Sequence, residues 1–199
     1  MTGKSVEVRH GGWIQTFTGR AFWPLDARAD DVSIIDIAHA LSLLCRYAGH
    51  VRTFYSVAQH CVLMSEAVAP ENALVALLHD ATEAYVVDLP APVKRFMPEY
   101  VKAEDALWLV VAEHFGISAE VPAEVKLADS RIVIDERAAL MGSATRPWGA
   151  SEGKKALGVH IEPWQPEDAE AYYLSRYCEL TGETSRTISD RGGDFKSDH

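Results

Sequence analysis

Apolar residues recur every three or four positions over most of the chain between residues 33 and 180, which is the spacing of an amphipathic α-helix. Ser33 is a good N-cap for the first of these helices, and Ser56 offers the same kind of cap to the second. The pattern predicts helices over about 33–47, 56–69, 71–86, 99–115, 122–141 and 166–180. We therefore predict an all-α fold in which these helices form one bundle.

The two ends of the chain depart from the helical pattern. Residues 1–32 are rich in glycine, aromatic and charged residues, and we predict an N-terminal extension that carries small β pieces, with a hairpin around residues 13–22. The helical domain is expected to span residues 33–180. Residues 181–199 are polar and contain glycine, which is typical of a flexible tail.

Composition narrows the classes of function. A length of 199 residues suits one domain with its own core. The net charge of -10 argues against binding to a nucleic-acid polymer, which needs a basic face. The apolar runs are too short for a membrane span, and the three cysteines form no CxxC motif or disulfide framework. We expect a cytoplasmic protein without a membrane partner.

Two histidines and two aspartates form a candidate metal site. His79 and Asp80 follow an apolar stretch, and His60 and Asp129 lie on the helices before and after it. Two imidazoles and two carboxylates make a plausible ligand set for one divalent cation. Glu83 comes one helical turn after His79, where it would reach a water molecule beside the cation rather than the cation itself.

Each of these residues also has an ordinary structural explanation. A buried His60 is more often a hydrogen-bonded core residue, and Asp129 within a helix is more often at the surface or in a cap. Arg46, the best candidate for binding a phosphate group, is also favoured at the end of a helix by the macrodipole. Spacing alone leaves a metal site and these structural roles about equally plausible.

The order His60, His79-Asp80, Asp129 resembles that of the HD-domain metal-dependent phosphohydrolases. The run from His79 to Ala84, followed by Asp88-Leu89-Pro90-Ala91-Pro92-Val93-Lys94, closely resembles the bacterial HD-domain 5'-deoxynucleotidases and their phage-associated relatives. Cys45-Arg46-Tyr47 resembles the arginine–aromatic pair of those enzymes. The similarity covers roughly residues 34–134 and implies an HD-domain helical bundle.

The resemblance also implies roles for individual residues. The metal ligands are expected to be His60, His79, Asp80 and Asp129, holding one divalent ion of Mn, Co, Mg, Zn or Fe. The catalytic residues are expected to be Glu83, which positions or activates the water, Arg46, which orients the phosphate, and Asp88. Substrate binding is expected from Arg46, Tyr47, Asp88, Leu89, Pro90, Ala91 and Lys94. Tyr47 stands where the family often has tryptophan.

The resemblance implies an enzyme that removes the 5'-phosphate from deoxynucleoside monophosphates and forms a homodimer or higher homo-oligomer. Two alternatives stay open. A deoxynucleoside triphosphate hydrolase needs more positive charge at the pocket, for which Lys94 and Arg95 are available. A non-catalytic nucleotide-binding module does not need Glu83 or Asp88. The segment over residues 16–25 is an addition to the best-known deoxynucleotidases, and we expect it to cap the pocket or to form a subunit contact.

Overall fold

The computed structural model describes residues 8–146, 148–149, 153–184 and 186–188. Within these ranges the chain is mostly helical, which confirms the predicted all-α fold. The helices are α1 (Ile34–Leu43), α2 (Val57–Ala67), α3 (Ala73–Leu78), α4 (Glu83–Val86), α5 (Ala91–Lys94), α6 (Pro98–Phe115), α7 (Ala123–Leu140) and α8 (Pro166–Thr181). The predicted flexible tail falls largely on residues 185 and 189–199, which lie outside the described part, as do residues 1–7 of the extension.

A small hairpin precedes the helices, as predicted. Strand β1 (Ile14–Gln15) pairs antiparallel with β2 (Ala21–Phe22), and Ile14 lies opposite Phe22. The hairpin is followed by a bundle in which α2 packs against α1, α3, α7 and α8. Because α2 occupies the middle of the bundle, a side chain on it can face several other helices at once.

Serine caps begin the first two long helices. The Ser33 hydroxyl accepts a hydrogen bond from the backbone N–H of Asp36 at 3.5 Å, and the Ser56 hydroxyl accepts one from that of Gln59 at 3.0 Å. These bonds satisfy N–H groups that have no partner within the helix. The helix starts at 33 and 56 could therefore be predicted from local sequence.

The first helix is shorter than the prediction, which extended it to Tyr47. It ends at Leu43, because the chain after it pairs sideways with the segment before α2. The Arg46 N–H donates to the Tyr55 carbonyl at 2.9 Å, and the Val57 N–H donates to the Leu44 carbonyl at 3.0 Å. Arg46 is therefore held beside the start of α2 rather than at the end of α1, and the macrodipole explanation for its position is wrong.

The predicted third helix is also interrupted. After a single turn over Pro70–Asn72, α3 ends at Leu78 and α4 begins only at Glu83. Between them the backbone makes tight turns, with the Ala81 N–H donating to the Leu78 carbonyl and the Glu83 N–H donating to the Asp80 carbonyl. His79 and Asp80 thus lie in turns between two helices rather than inside one. The His79 Nδ1–H donates to the Ala76 carbonyl oxygen. This side-chain hydrogen bond competes with the backbone hydrogen bonds that would continue the helix.

The hairpin is anchored in the main core through Phe22. This side chain is fully buried, and its ring stacks on Tyr85 with a centroid separation of 3.8 Å. We expect Phe22→Ala to lower the free energy of unfolding by about 3–5 kcal/mol in urea denaturation, because it leaves a cavity under the hairpin. Leu25→Ala is the control, since Leu25 is 62% exposed. Equal effects of the two substitutions would mean that the hairpin is not part of the cooperative core.

Among the residues described, no helix combines the length and the apolar character that a membrane crossing needs.

Candidate metal centre

Two imidazole rings face each other in the middle of the bundle. His60 projects from α2 and His79 from the turn after α3, and their ring centroids are 5.3 Å apart. The His60 Nδ1 lies 2.7 Å from a carboxylate oxygen of Glu136, and the His79 Nδ1 lies 2.8 Å from the Ala76 carbonyl oxygen. Since a carbonyl and a carboxylate only accept, each Nδ1 atom carries the hydrogen. The Nε2 atoms are left to face the centre.

Those two Nε2 atoms are the first sign of a ligand. Both are buried, and neither has a hydrogen-bond partner among the described residues. Buried polar atoms without partners are rare in proteins. Metal-binding histidines commonly donate the other ring N–H to a carbonyl or a carboxylate, as His60 and His79 do here. The pair therefore fits a cation coordinated through Nε2.

The two aspartates complete the arrangement. Asp80 places its Oδ1 3.2 Å from the His79 Nε2 and its Oδ2 3.7 Å from the His60 Nε2. The Asp129 Oδ1, from α7, lies 3.4 Å from the His60 Nε2. One ligand atom each of His60, His79 and Asp129 lies within 4.8 Å of the others. The four residues can bind a divalent metal, and their mixed nitrogen and oxygen donors suit several first-row ions.

The charges around His60 favour binding a cation. Burial and the Arg46 guanidinium lower the pKa of His60, but Glu136 and Asp129 outweigh them and raise it to about 9. A metal bound at Nε2 therefore replaces a proton, and metal affinity should rise with pH. Burial raises the pKa of Asp129, yet the contact with His60 brings it well below its ordinary value. Asp129 is thus a carboxylate at neutral pH.

Cys61 comes close to the same centre without fitting it as a ligand. Its sulfur lies within 4.8 Å of ligand atoms of His79 and Asp80. Burial raises the pKa of this thiol well above its ordinary value, so a metal would have to displace its proton. Since the thiolate is the form that binds metals, we interpret Cys61 as a packing residue.

Arg46 brings positive charge to the edge of the centre. One terminal nitrogen lies 3.5 Å from the Asp80 Oδ2, and Nε lies 3.4 Å from a carboxylate oxygen of Glu136. The side chain is 15% exposed. Burial lowers the pKa of Arg46, but Glu136, Tyr47 and Asp80 raise it well above its ordinary value. The guanidinium is therefore a fixed cation next to a metal ligand.

Glu136 is the residue of this site that sequence reasoning missed. It is fully buried on α7, and it contacts His60, Arg46 and the hydroxyl of Tyr47, which donates to it. Burial raises the pKa of Glu136, but Arg46 and His60 lower it overall to about 2. One signal was present, because Glu136 follows Asp129 by seven residues and two helical turns place both on one face.

Glu83 lies at the start of α4 and borders a cavity of about 410 Å³. The other walls of this cavity come from the hairpin segment over residues 14–17 and from α1. Burial raises the pKa of Glu83 to about 9, and the charges of Asp80 and Asp88 add to the effect. The hairpin thus forms a wall of a cavity that reaches the predicted water-activating residue.

The predicted substrate loop lies further out. Lys94 on α5 pairs with Asp88 at 2.9 Å and with Glu104 of α6 at 2.6 Å. Leu89 and Pro90 join Asp88 to Ala91, the first residue of α5, and the three are partly or fully exposed. The Lys94 ammonium is therefore paired with two carboxylates that are not among the predicted metal ligands. Substrate binding by Asp88, Leu89, Pro90, Ala91 and Lys94 stays a prediction.

Val87 joins Glu83 to Asp88 in a strained conformation. Its φ of 57° and ψ of 155° fall in a region that is essentially restricted to glycine and costs about 1–3 kcal/mol. Its side chain is 54% exposed, so little packing is lost on truncation. We expect Val87→Gly to raise the free energy of unfolding by about 1 kcal/mol in urea denaturation, after the entropy cost of glycine. Val87→Ala keeps the strain and should give no such gain.

Two bacterial proteins are similar to this chain in amino-acid sequence over most of its length. It is 40% identical over 170 residues to the uncharacterized protein YfdR of Escherichia coli strain K12, and this match covers 85% of the chain and 96% of YfdR. It is 31% identical over 183 residues to an uncharacterized protein of Rhodobacter capsulatus, covering 83% of the chain and 93% of that protein. No protein-family profile matches the chain.

Proposed function

The chain belongs to the same family as YfdR of Escherichia coli, and for this member we propose a metal-dependent phosphohydrolase that removes the 5'-phosphate from deoxynucleoside monophosphates. The observation that carries the proposal is the convergence of His60, His79, Asp80 and Asp129, with two buried Nε2 atoms facing two carboxylates. The resemblance of the same residues to the HD-domain 5'-deoxynucleotidases supplies the substrate class.

The residues around the ligands have the chemical character that phosphate hydrolysis needs. A divalent cation held by the four ligands would lower the pKa of a water molecule and withdraw charge from the phosphate. Arg46 binds phosphate oxygens and offsets the negative charge that develops on them. Glu83 accepts a proton from the attacking water. Burial and the neighbouring carboxylates raise the pKa of Glu83 to about 9, and the positive charge of a bound cation would lower it and favour the ionised form that accepts a proton.

The nucleoside part of the substrate is expected beside these groups. Asp88 and the backbone from Leu89 to Ala91 border the sugar and the phosphate in this proposal. Tyr47 presents its ring near the nucleotide, since its hydroxyl is already used by Glu136. The presence of both Glu83 and Asp88 favours an enzyme over a module that only binds nucleotides.

Monophosphates are favoured over triphosphates as substrates because the positive charge of Lys94 is already paired within the protein. A triphosphate carries several more negative charges and needs additional cations in the pocket. The Lys94 ammonium is already paired with Asp88 and Glu104. The exposed Arg95 lies over the Phe96 ring, so Arg46, which contacts Asp80, remains the cation best placed for one phosphate group.

We further propose that the enzyme acts in the cytoplasm as a homo-oligomer. The cysteines Cys45, Cys61 and Cys178 are all free thiols, as expected in a reducing compartment. Light scattering on the purified protein tests the oligomeric state, and a monomer at micromolar concentration would refute that part of the proposal.

A nucleotide panel tests the function directly. Purified protein is incubated with ribo- and deoxyribonucleoside mono- and triphosphates, each with Mn²⁺, Co²⁺, Mg²⁺ or Zn²⁺, and products are separated chromatographically. Inorganic phosphate and nucleoside from deoxynucleoside monophosphates are the expected products. Release of triphosphate would indicate the alternative hydrolase, and thermal stabilisation by nucleotide without turnover would indicate a binding module.

A further inference from the structure

We infer that Glu136 is the positioning residue that joins the metal-binding half of the site to its phosphate-binding half. It holds His60 for the cation and Arg46 for the phosphate with the two oxygens of one buried carboxylate. The inference rests on the proposed function in one respect, namely that the site binds a metal and a phosphate.

The geometry divides the two oxygens of Glu136 between the two halves. Oε1 lies 2.7 Å from the His60 Nδ1 and accepts its hydrogen. Oε2 accepts from the Tyr47 hydroxyl and lies 3.4 Å from the Arg46 Nε. The Arg46 Nε makes no hydrogen bond among the described residues, so the carboxylate fixes the ring plane of His60 by a hydrogen bond and holds Arg46 by its charge.

The burial of Glu136 makes this arrangement hard to replace. Its side chain is fully buried, and an isolated carboxylate there is costly unless it is paired. A glutamine has the same shape, but its NH₂ group cannot accept from the Tyr47 hydroxyl or face the Arg46 guanidinium favourably. In either orientation the neutral amide no longer attracts the Arg46 guanidinium, and it offers His60 at best an uncharged, weaker acceptor, so both halves are weakened.

The first test compares Glu136→Gln with Asp36→Asn. Asp36 is the matched control, because its carboxylate is also buried and accepts two hydrogen bonds from Thr18, at 2.7 and 3.0 Å, away from the metal ligands. We expect calorimetric titration with Co²⁺ to show a Kd about 10–100-fold higher for Glu136→Gln, the usual effect of losing a carboxylate behind a ligand histidine. Asp36→Asn should bind Co²⁺ like the wild type.

The phosphate half is measured on the same proteins. In the Co²⁺-saturated state, Glu136→Gln should bind inorganic phosphate more weakly than the wild type, because Arg46 has lost its anchor. Unchanged affinities for both Co²⁺ and phosphate would overturn the positioning role. Loss of Co²⁺ affinity alone would overturn the claim that Glu136 joins the two halves.

A second measurement needs no substitution, in case Glu136→Gln does not fold. In the Zn²⁺-loaded wild type, ¹⁵N NMR should show His60 protonated at Nδ1, with a slowly exchanging hydrogen held by the carboxylate. A proton on Nε2, or no Zn²⁺ uptake at all, would overturn the inference. None of these readouts depends on turnover. If the protein binds metal through a His60 held by Glu136 but hydrolyses no nucleotide, the proposed function fails and the inference about Glu136 stands.

Discussion

Replacing Asp80 by alanine is expected to abolish metal binding and to lower nucleotide hydrolysis by on the order of 1,000-fold or more. Asp80 is the carboxylate that approaches both imidazoles, at 3.2 Å from the His79 Nε2 and 3.7 Å from the His60 Nε2. It also lies 3.5 Å from Arg46. Its loss therefore removes a ligand and leaves the guanidinium without one of its two carboxylate partners.

Metal content after loading and dialysis, together with phosphate release, checks this expectation. Asp105→Ala is the control, because Asp105 is exposed on α6. A melting temperature for each variant separates loss of the site from loss of the fold. If Asp80→Ala kept its metal and its activity, the hydrolysis would come from another centre or from a contaminant, and the assignment of the site would be wrong.

The sequence predicted helix starts better than helix ends. Ser33 and Ser56 act through hydrogen bonds within three residues, so their effect can be seen in the local sequence. The end of α1 depends on pairing with the segment around Tyr55, which lies twelve residues beyond Leu43. Tyr47 and Ala48 also adopt left-handed backbone angles, with φ of 56° and 51°. Nothing in their side chains signals that conformation, because neither is glycine or asparagine.

The same distinction applies to the site. Histidines and aspartates carry an evident chemical signal, and four of them could be grouped as ligands from the amino-acid sequence alone. Glu136 was missed because a glutamate on a predicted amphipathic helix is usually exposed. Its burial follows from the packing of α7 against α2, a tertiary contact. The interruption at His79-Asp80 was missed for a related reason, since the bond from His79 to the Ala76 carbonyl competes with a strongly helical local sequence.

The step from metal binding to catalysis depends on Glu83, and Glu83→Gln separates the two. Glutamine keeps the shape of the side chain but cannot accept a proton from water. Because Glu83 begins α4 one turn beyond Asp80 and is not among the four ligands, we expect Glu83→Gln to bind Co²⁺ with wild-type affinity. Its turnover of deoxynucleoside monophosphates should fall by about 10²–10⁴-fold, the usual contribution of a general base.

The amide also resembles the protonated form of Glu83, which burial favours at this position. Burial and the neighbouring carboxylates Asp80 and Asp88 raise the pKa of Glu83 to about 9, so a neutral side chain is tolerated well at this position. Glu83→Gln should consequently fold at least as stably as the wild type, which makes loss of turnover interpretable. Glu113→Gln on the exposed side of α6 controls for the substitution itself. Full activity in Glu83→Gln would show that another group accepts the proton, and Asp88 is the next candidate because it belongs to the predicted substrate loop and its charge acts on Glu83.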